Sequence, residues 1–171
     1  MKEPLPSPSA TVTQDAILAS VVAFFQANDW SFSQHETEPI LQMQYQGENG
    51  EWLFTVRVRE MPGQVVFYSA CPVMVPEKKR LAVAEFLTRA NYDLIIGNFE
   101  LDFEGGGVLY KTASIVNQGT DLSSQLIGQL VFVNVMTMDR YLPGLMSVIY
   151  ANVSPSEAIA QIEQTPTPEN P

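Results

Sequence analysis

Three carboxylates, Glu100, Asp102 and Glu104, recur at every second residue. In an extended strand this spacing puts them on one face, about 7 Å apart. A row of that kind could bind a hard cation or supply an acid–base pair. With no fourth ligand and no nearby His, it reads instead as the solvated strand face of an acidic chain. Arg57 and Arg59 repeat the spacing with the opposite charge. They pair with those carboxylates if the two strands are neighbours, stay solvated, or present two donors to an acidic ligand. Gly105-Gly106-Gly107 has the composition of a phosphate loop, but a phosphate cradle needs a helix after its glycines. Here strands lie on both sides, which predicts a hairpin turn. His35 has no Ser, Cys or Asp partner at a recognisable spacing and reads as a surface or strand histidine. Cys71 stands before Pro72 with no basic neighbour and reads as a small buried residue rather than a nucleophile. No catalytic, cofactor-binding or metal-ligating set emerges.

Composition points the same way. The chain has 171 residues, 46% of them hydrophobic and only 16% charged, with a formal net charge of −10. Such a balance repels phosphate backbones, so nucleic acid is not an expected partner. The one tight basic cluster, Lys78-Lys79-Arg80, reads as a solvated helix face, with a docking patch for an acidic partner as the alternative. One Cys and one His cannot build an internal disulfide or a zinc site. The N-terminal residues lack the apolar core of a signal peptide, and the most apolar window, from Leu126 to Met138, is shorter than the ~20 residues of a membrane span. These features predict a soluble cytoplasmic protein without a membrane partner.

The elements that must position these residues follow from periodicity. Prolines interleaved with Ser, Thr and Glu mark residues 1–11 as a flexible tail, and the last residues likewise. Thr13 caps a helix running to about Asn28, with Ile17, Val21, Phe24 and Phe25 on one stripe. Three strands follow, Ile40 to Gln46, Trp52 to Arg59 and Gln64 to Cys71, joined by turns at Gly47–Gly50 and Met61–Gly63. Trp30 to Glu36 is either a further strand or a loop. A Pro76-led helix carries a broad apolar face of Leu81, Val83, Phe86, Leu87 and Ala90. A hairpin comes next, Phe99 to Phe103 and Val108 to Ile115. Thr120 or Asp121 then caps a long helix whose inner face runs through Leu122, Leu126, Leu130, Val133, Thr137, Tyr141, Leu145 and Val148. Pro143-Gly144 should kink or divide that helix. A short last helix begins at Ser154, with Pro155 at its first position and Glu157 at N3. Strands cluster instead of alternating with helices, so the class is α+β: a five-stranded antiparallel sheet with helices packed on it, in the order α-β-β-β-α-β-β-α. One domain over residues 12–151 is expected, with the short helix and a Pro-rich tail in residues 152–171.

The stretch PEKKRLAVAEFLTRANYDLIIGNFELDFEGGGVLYKTA resembles the middle of YbjN-domain proteins. It has a Pro-led helix ending near Asn91, then Gly97, a Phe99-Glu100-Leu101 strand, and a return strand with Val108 and Tyr110. Met138 to Leu145, MDRYLPGL, is similar to the family's last helix. In element order the resemblance spans about Thr13 to Ile149. It implies the fold of type III secretion chaperones and a role described broadly as sensory transduction or stress-linked regulation, and it brings no catalytic residues with it. The related chaperones dimerise and bind segments of other proteins.

The expected function is therefore that of a non-enzymatic regulatory or chaperone-like adaptor, working through a protein partner and possessing no cofactor. The helix face of Leu81, Val83, Phe86, Leu87 and Ala90 is wider than one sheet contact needs, which predicts an interaction surface and a homodimer. Arg57 and Arg59 are the other candidate interaction residues. The alternative is a small-molecule or metal sensor using the Arg57/Arg59 and Glu100/Asp102/Glu104 faces.

Overall fold

The computed structural model describes residues 13–59, 63–92, 94–116 and 122–164. The expected tails, the Met61-Pro62 part of one turn and the Thr120/Asp121 cap lie outside them.

Helix α1 (Gln14–Ala27) is capped by Thr13, whose hydroxyl accepts from the Ala16 N–H, and it buries Ile17, Val21 and Phe25. The sheet has six strands, β1 (Ser33–Gln34), β2 (Ile40–Gln46), β3 (Glu51–Arg59), β4 (Gln64–Ala70), β5 (Asn98–Leu101) and β6 (Val108–Ile115). All pairings are antiparallel, in the spatial order β1-β2-β3-β4-β6-β5. The count is six rather than five because the Trp30–Glu36 stretch contributes a two-residue edge strand against Gln42 and Leu41.

Alternation reads directly as burial. In β3, Trp52, Phe54, Val56 and Val58 point into the core, while Leu53, Arg57 and Arg59 point out. All four helices contribute to the core on the inner side of the sheet. The outer side, with Gln42, Thr55, Tyr68 and Lys111 in one cross-strand row, faces no described helix.

After Pro76 one 3₁₀ turn (Glu77–Lys79) leads into α2 (Arg80–Tyr92), which buries Val83, Phe86, Leu87 and Ala90. Its last turn also closes the sheet. The Asn91 side chain accepts from the Phe99 N–H (2.7 Å) and donates to the Phe99 carbonyl (3.1 Å). One amide thus takes the place of a neighbouring strand on the β5 edge, which blunts that edge against pairing with other chains.

Helix α3 (Ser124–Tyr150) begins at Ser123, whose hydroxyl accepts from the Leu126 N–H. Its buried line follows the expected one in its C-terminal half, through Tyr141, Leu145 and Val148, and at Leu130, but Leu122, Leu126, Val133 and Thr137 are only half-buried and Ile127, Asn134 and Met138 are buried in their place. The line rotates because Asn134 is drawn into the sheet. Asn134 accepts from the Ser69 hydroxyl (2.7 Å) and donates to the Phe67 carbonyl (3.0 Å) and the Thr112 hydroxyl (3.2 Å).

Pro143-Gly144 does not divide α3, which continues through both residues. Proline removes the N–H that would bond the carbonyl four residues back, here that of Asp139. The Asn49 side-chain amide donates to that freed carbonyl at 3.2 Å. Gly144 is a notch rather than a break: a Cβ there would stand 2.5 Å from Ile162 and 3.1 Å from Phe86.

Helix α4 (Pro155–Glu163) has the expected capping box, with Ser154 as N-cap and Glu157 at N3. Its Ala158, Ile159 and Ile162 are buried in the same core, against α2 and α3. No helix of the described residues is long and apolar enough to cross a membrane.

Candidate functional site

The outward side of α3 should be a solvated stripe. Instead it carries Phe132, Met136, Arg140, Pro143 and Ser147, at steps of three or four residues. These residues line a groove of about 740 Å³. One wall is α4, through Ala158 and Ile162, and Leu94 of the α2–β5 loop closes a side. The far end is the β2–β3 turn, held in place by Asp139. The Asp139 carboxylate accepts from the Asn49 N–H (2.8 Å) and from the Asn49 side chain (3.1 Å), while its backbone carbonyl accepts the third bond described above. Pro143 therefore helps to build the groove, because it releases the carbonyl that Asn49 takes.

Floor and rim differ chemically. Leu94, Met136, Pro143 and Ile162 give an apolar floor, and Glu48 and Glu163 stand exposed at the edges. Beside Leu94 the loop continues into Ile95, which is 96% exposed, and Tyr92 just before it is 88% exposed. A large aliphatic side chain left almost wholly in water marks a contact surface more often than a catalytic one.

The sequence candidates are placed elsewhere. Four of the five α2 residues, Val83, Phe86, Leu87 and Ala90, are buried in the chain's own core, and only Leu81 is exposed. The extra width of that face is taken up by α4, so the argument it offered for a two-fold contact falls away. Arg57 and Arg59 lie on the outer side of β3, and β4 and β6 separate them from β5. Arg57 is ion-paired with Glu38 at 3.5 Å, both half-exposed. The three carboxylates do not share a strand face, because β5 ends at Leu101. Glu100 pairs with Lys111, and Asp102 accepts from the Glu104 N–H within the turn (2.9 Å). Among the described residues no three of His, Cys, Asp and Glu gather where they could hold a metal ion.

The basic cluster is mostly structural. Lys79 donates to the Val148 carbonyl (3.0 Å) and to Asn152 (2.6 Å) at the C-terminal end of α3, where a cation is favoured. Arg80 donates to the Phe103 carbonyl (2.6 Å). His35 is exposed, and its ring accepts from the Glu38 N–H (3.1 Å). Cys71 is buried; desolvation pushes its thiol pKa up, against a smaller lowering by a hydrogen bond with the Val73 backbone, so it stays a neutral packing group.

Electrostatics on the outer sheet face give one direct test. The Glu100 carboxyl titrates below its ordinary range, first because Lys111 hydrogen-bonds to it, with a smaller help from Asn98. A depressed carboxyl adds stability that is present above its unfolded pKa and is lost as pH falls through the folded one. Both partners are partly exposed, so the effect on stability should be under about 1 kcal/mol. An NMR titration of the Glu100 side chain should show a midpoint below the ordinary glutamate range, and Lys111→Met should raise it.

Groove and loop were missed because each wall comes from a different part of the chain, and Phe132 and Met136 are indistinguishable from core positions in a helix that is apolar on most sides. The local signals were Leu94-Ile95-Ile96, an apolar run placed between a helix end and Gly97, and Met136, one of several methionines that suit an adaptable binding surface but read as core filling by default.

The comparisons with known proteins fit this architecture. None of the curated proteins compared matches the chain. The family model YbjN, described as "Putative bacterial sensory transduction regulator", matches residues 18–147, the span from α1 through most of α3. It takes in Asn91, Gly97 and Tyr110 at the α2–β5 junction, and Asp139 with Pro143 at the groove. With a match over most of its length, this chain belongs to the YbjN family.

Proposed function

We propose that the protein is a non-enzymatic regulator that acts by binding another protein in the groove between α3 and α4. The observation that carries this reading is the apolar floor of Leu94, Met136 and Ile162 continued by the exposed Ile95. A small ligand sunk in the groove would leave Ile95 in water. The apolar side of a partner segment covers both. Membership of a regulator family supports the same reading.

The test is a photocrosslinking residue at position 132, in the groove, and at position 85, exposed on α2, within cells that make the protein. Position 132 should yield one discrete adduct to another protein, and position 85 none. Met136→Glu should reduce that adduct at least tenfold, the equivalent of about 1.4 kcal/mol. Because Met136 is only half-buried, its stability should stay within about 1 kcal/mol of the parent. Equal labelling from both positions, or an adduct indifferent to Met136→Glu, would rule the groove out.

A further inference from the structure

Helix α4 is docked on α2 and α3 but not close-packed there. Of its nine residues Ala158, Ile159 and Ile162 are buried, and they form one stripe. Ile162 sits in the Gly144 notch beside Phe86. A hollow runs along each side of that stripe. The groove lies on the α3 side. A second hollow of about 450 Å³ lies on the α2 side, where Thr88, Arg89 and Tyr92 face Ser156, Ile159 and Ala160. Ala160 offers only a methyl group to this hollow, and the Tyr92 ring stays in water. An isolated nine-residue helix is marginal in water, so docking holds α4 together more than its own propensity does. Residues 151–154 link it to α3, and Asn152, at a φ of +55°, reverses the chain in a conformation that Asn adopts readily.

We infer that the cleft between α2 and α3 beneath α4 is a docking site for an amphipathic helix of a partner protein, with α4 as its resident occupant. The partner helix repeats the stripe of Ala158, Ile159 and Ile162 and carries a large aliphatic residue where α4 has Ala160. That residue fills the hollow and covers Tyr92, a contact that α4 does not make. The α4 of a second copy would make only the contacts of the resident helix and would gain nothing by exchange. A helix of different sequence is therefore the occupant that competes. Its apparent affinity is reduced by the fraction of chains in which α4 has left the cleft, so any loosening of α4 returns as an equal gain in affinity. The cleft lies under α4 and the groove beside it, and the inference does not rest on what the groove binds.

The probes are fluorescein-labelled peptides of residues 153–164, followed by fluorescence anisotropy on the full chain. The peptide with Ala160→Leu should bind at least tenfold tighter than the natural sequence, and adding Ile162→Asp to it should abolish binding. Tyr92→Ala in the chain should remove the advantage of the Leu peptide; its side chain is exposed, so the fold should be kept. Ser154→Ala with Glu157→Ala takes away the capping box of α4 without touching the cleft, and should tighten the Leu peptide about fivefold. Equal affinity of the natural and Leu peptides, an advantage that survives Tyr92→Ala, or no gain on loss of the capping box would overturn the inference. A chain that refuses the peptide because it has dimerised, by light scattering, would assign the cleft to a second copy and overturn the partner. No peptide binding beside a discrete adduct from position 132 would sink this inference alone, and the converse would sink the groove alone.

Discussion

Asn134→Ala should cost about 3–5 kcal/mol of folding stability, a large share of the roughly 5–15 kcal/mol available to a domain. Asn134 is fully buried at the centre of α3 and sits in a directional chain of hydrogen bonds. The Trp52 indole N–H donates to the Ser69 hydroxyl (2.8 Å), and Ser69 donates to the Asn134 carbonyl oxygen (2.7 Å). The Asn134 amide donates to the Phe67 carbonyl (3.0 Å) and to Thr112 (3.2 Å), and Thr112 donates to the Leu130 carbonyl (3.0 Å). Truncation leaves the Ser69 donor without an acceptor, withdraws the amide donors from the Phe67 and Thr112 oxygens, and opens a cavity in the core. Asn134→Leu keeps the volume but strands the same polar groups, so it should still cost more than about 2 kcal/mol. Urea unfolding followed by circular dichroism reads both. The Ser69→Ala and Asn134→Ala changes should be non-additive by about 1–2 kcal/mol, because they break the same link. A loss below about 1 kcal/mol for Asn134→Ala would mean that the network contributes nothing net. The same bonds tie α3 to β4 and β6 at one rotation, and so turn Phe132 and Met136 outward to form the groove floor.

That rotation shows where sequence reasoning works and where it stops. Features decided within a few residues were readable. Thr13 caps α1, Ser154 and Glu157 box the start of α4, and β2 and β3 alternate as their patterns dictate. Val131 to Val135 has strand propensity, but the apolar register on both sides fixes it as helix. Features decided by distant partners were not readable. Asn49 and Asp139 are ninety residues apart, and nothing local announces that a turn will take the carbonyl Pro143 leaves free. The broad face of α2 was visible, but its cover, α4, begins more than sixty residues after the first of those apolar positions. Arg57 and Glu100 look like partners on paper; the strand order, which places β6 between β4 and β5, sends each to another residue. The groove inherits this difficulty, since it exists only where α3, α4, the α2–β5 loop and a β-turn meet.

Gly97→Ala should be the most damaging single-methyl change at that meeting point, at about 2–4 kcal/mol. Gly97 has a φ of +79°, in the left-handed region that side chains with a Cβ adopt only at a cost of about 1 kcal/mol. A Cβ there would lie 2.5 Å from the Lys111 backbone oxygen, 2.7 Å from the Tyr110 hydroxyl and 2.9 Å from a Thr112 methyl. The Lys111 oxygen belongs to the β6 strand and cannot retreat without disturbing its pairing with β4 and β5. Tyr110 is held as well. Burial raises its hydroxyl pKa, the largest influence, so it stays protonated and donates to the Ile96 carbonyl, while its ring packs on Phe99 at 4.7 Å. Relief can come only from moving the loop that precedes Gly97, the segment with Leu94 and Ile95 on the groove rim. Stability and binding should therefore fall together. Tyr110→Phe, which removes only the hydroxyl that fastens Ile96, should cost about 1 kcal/mol and weaken the groove in proportion. Val58→Ala, a cavity in β3 remote from the loop, should destabilise by a comparable 1–3 kcal/mol and leave crosslinking from position 132 unchanged in the folded fraction. If Gly97→Ala unfolds more easily yet crosslinks as the parent does, the loop is not part of the docking surface, and the groove works through α3 and α4 alone.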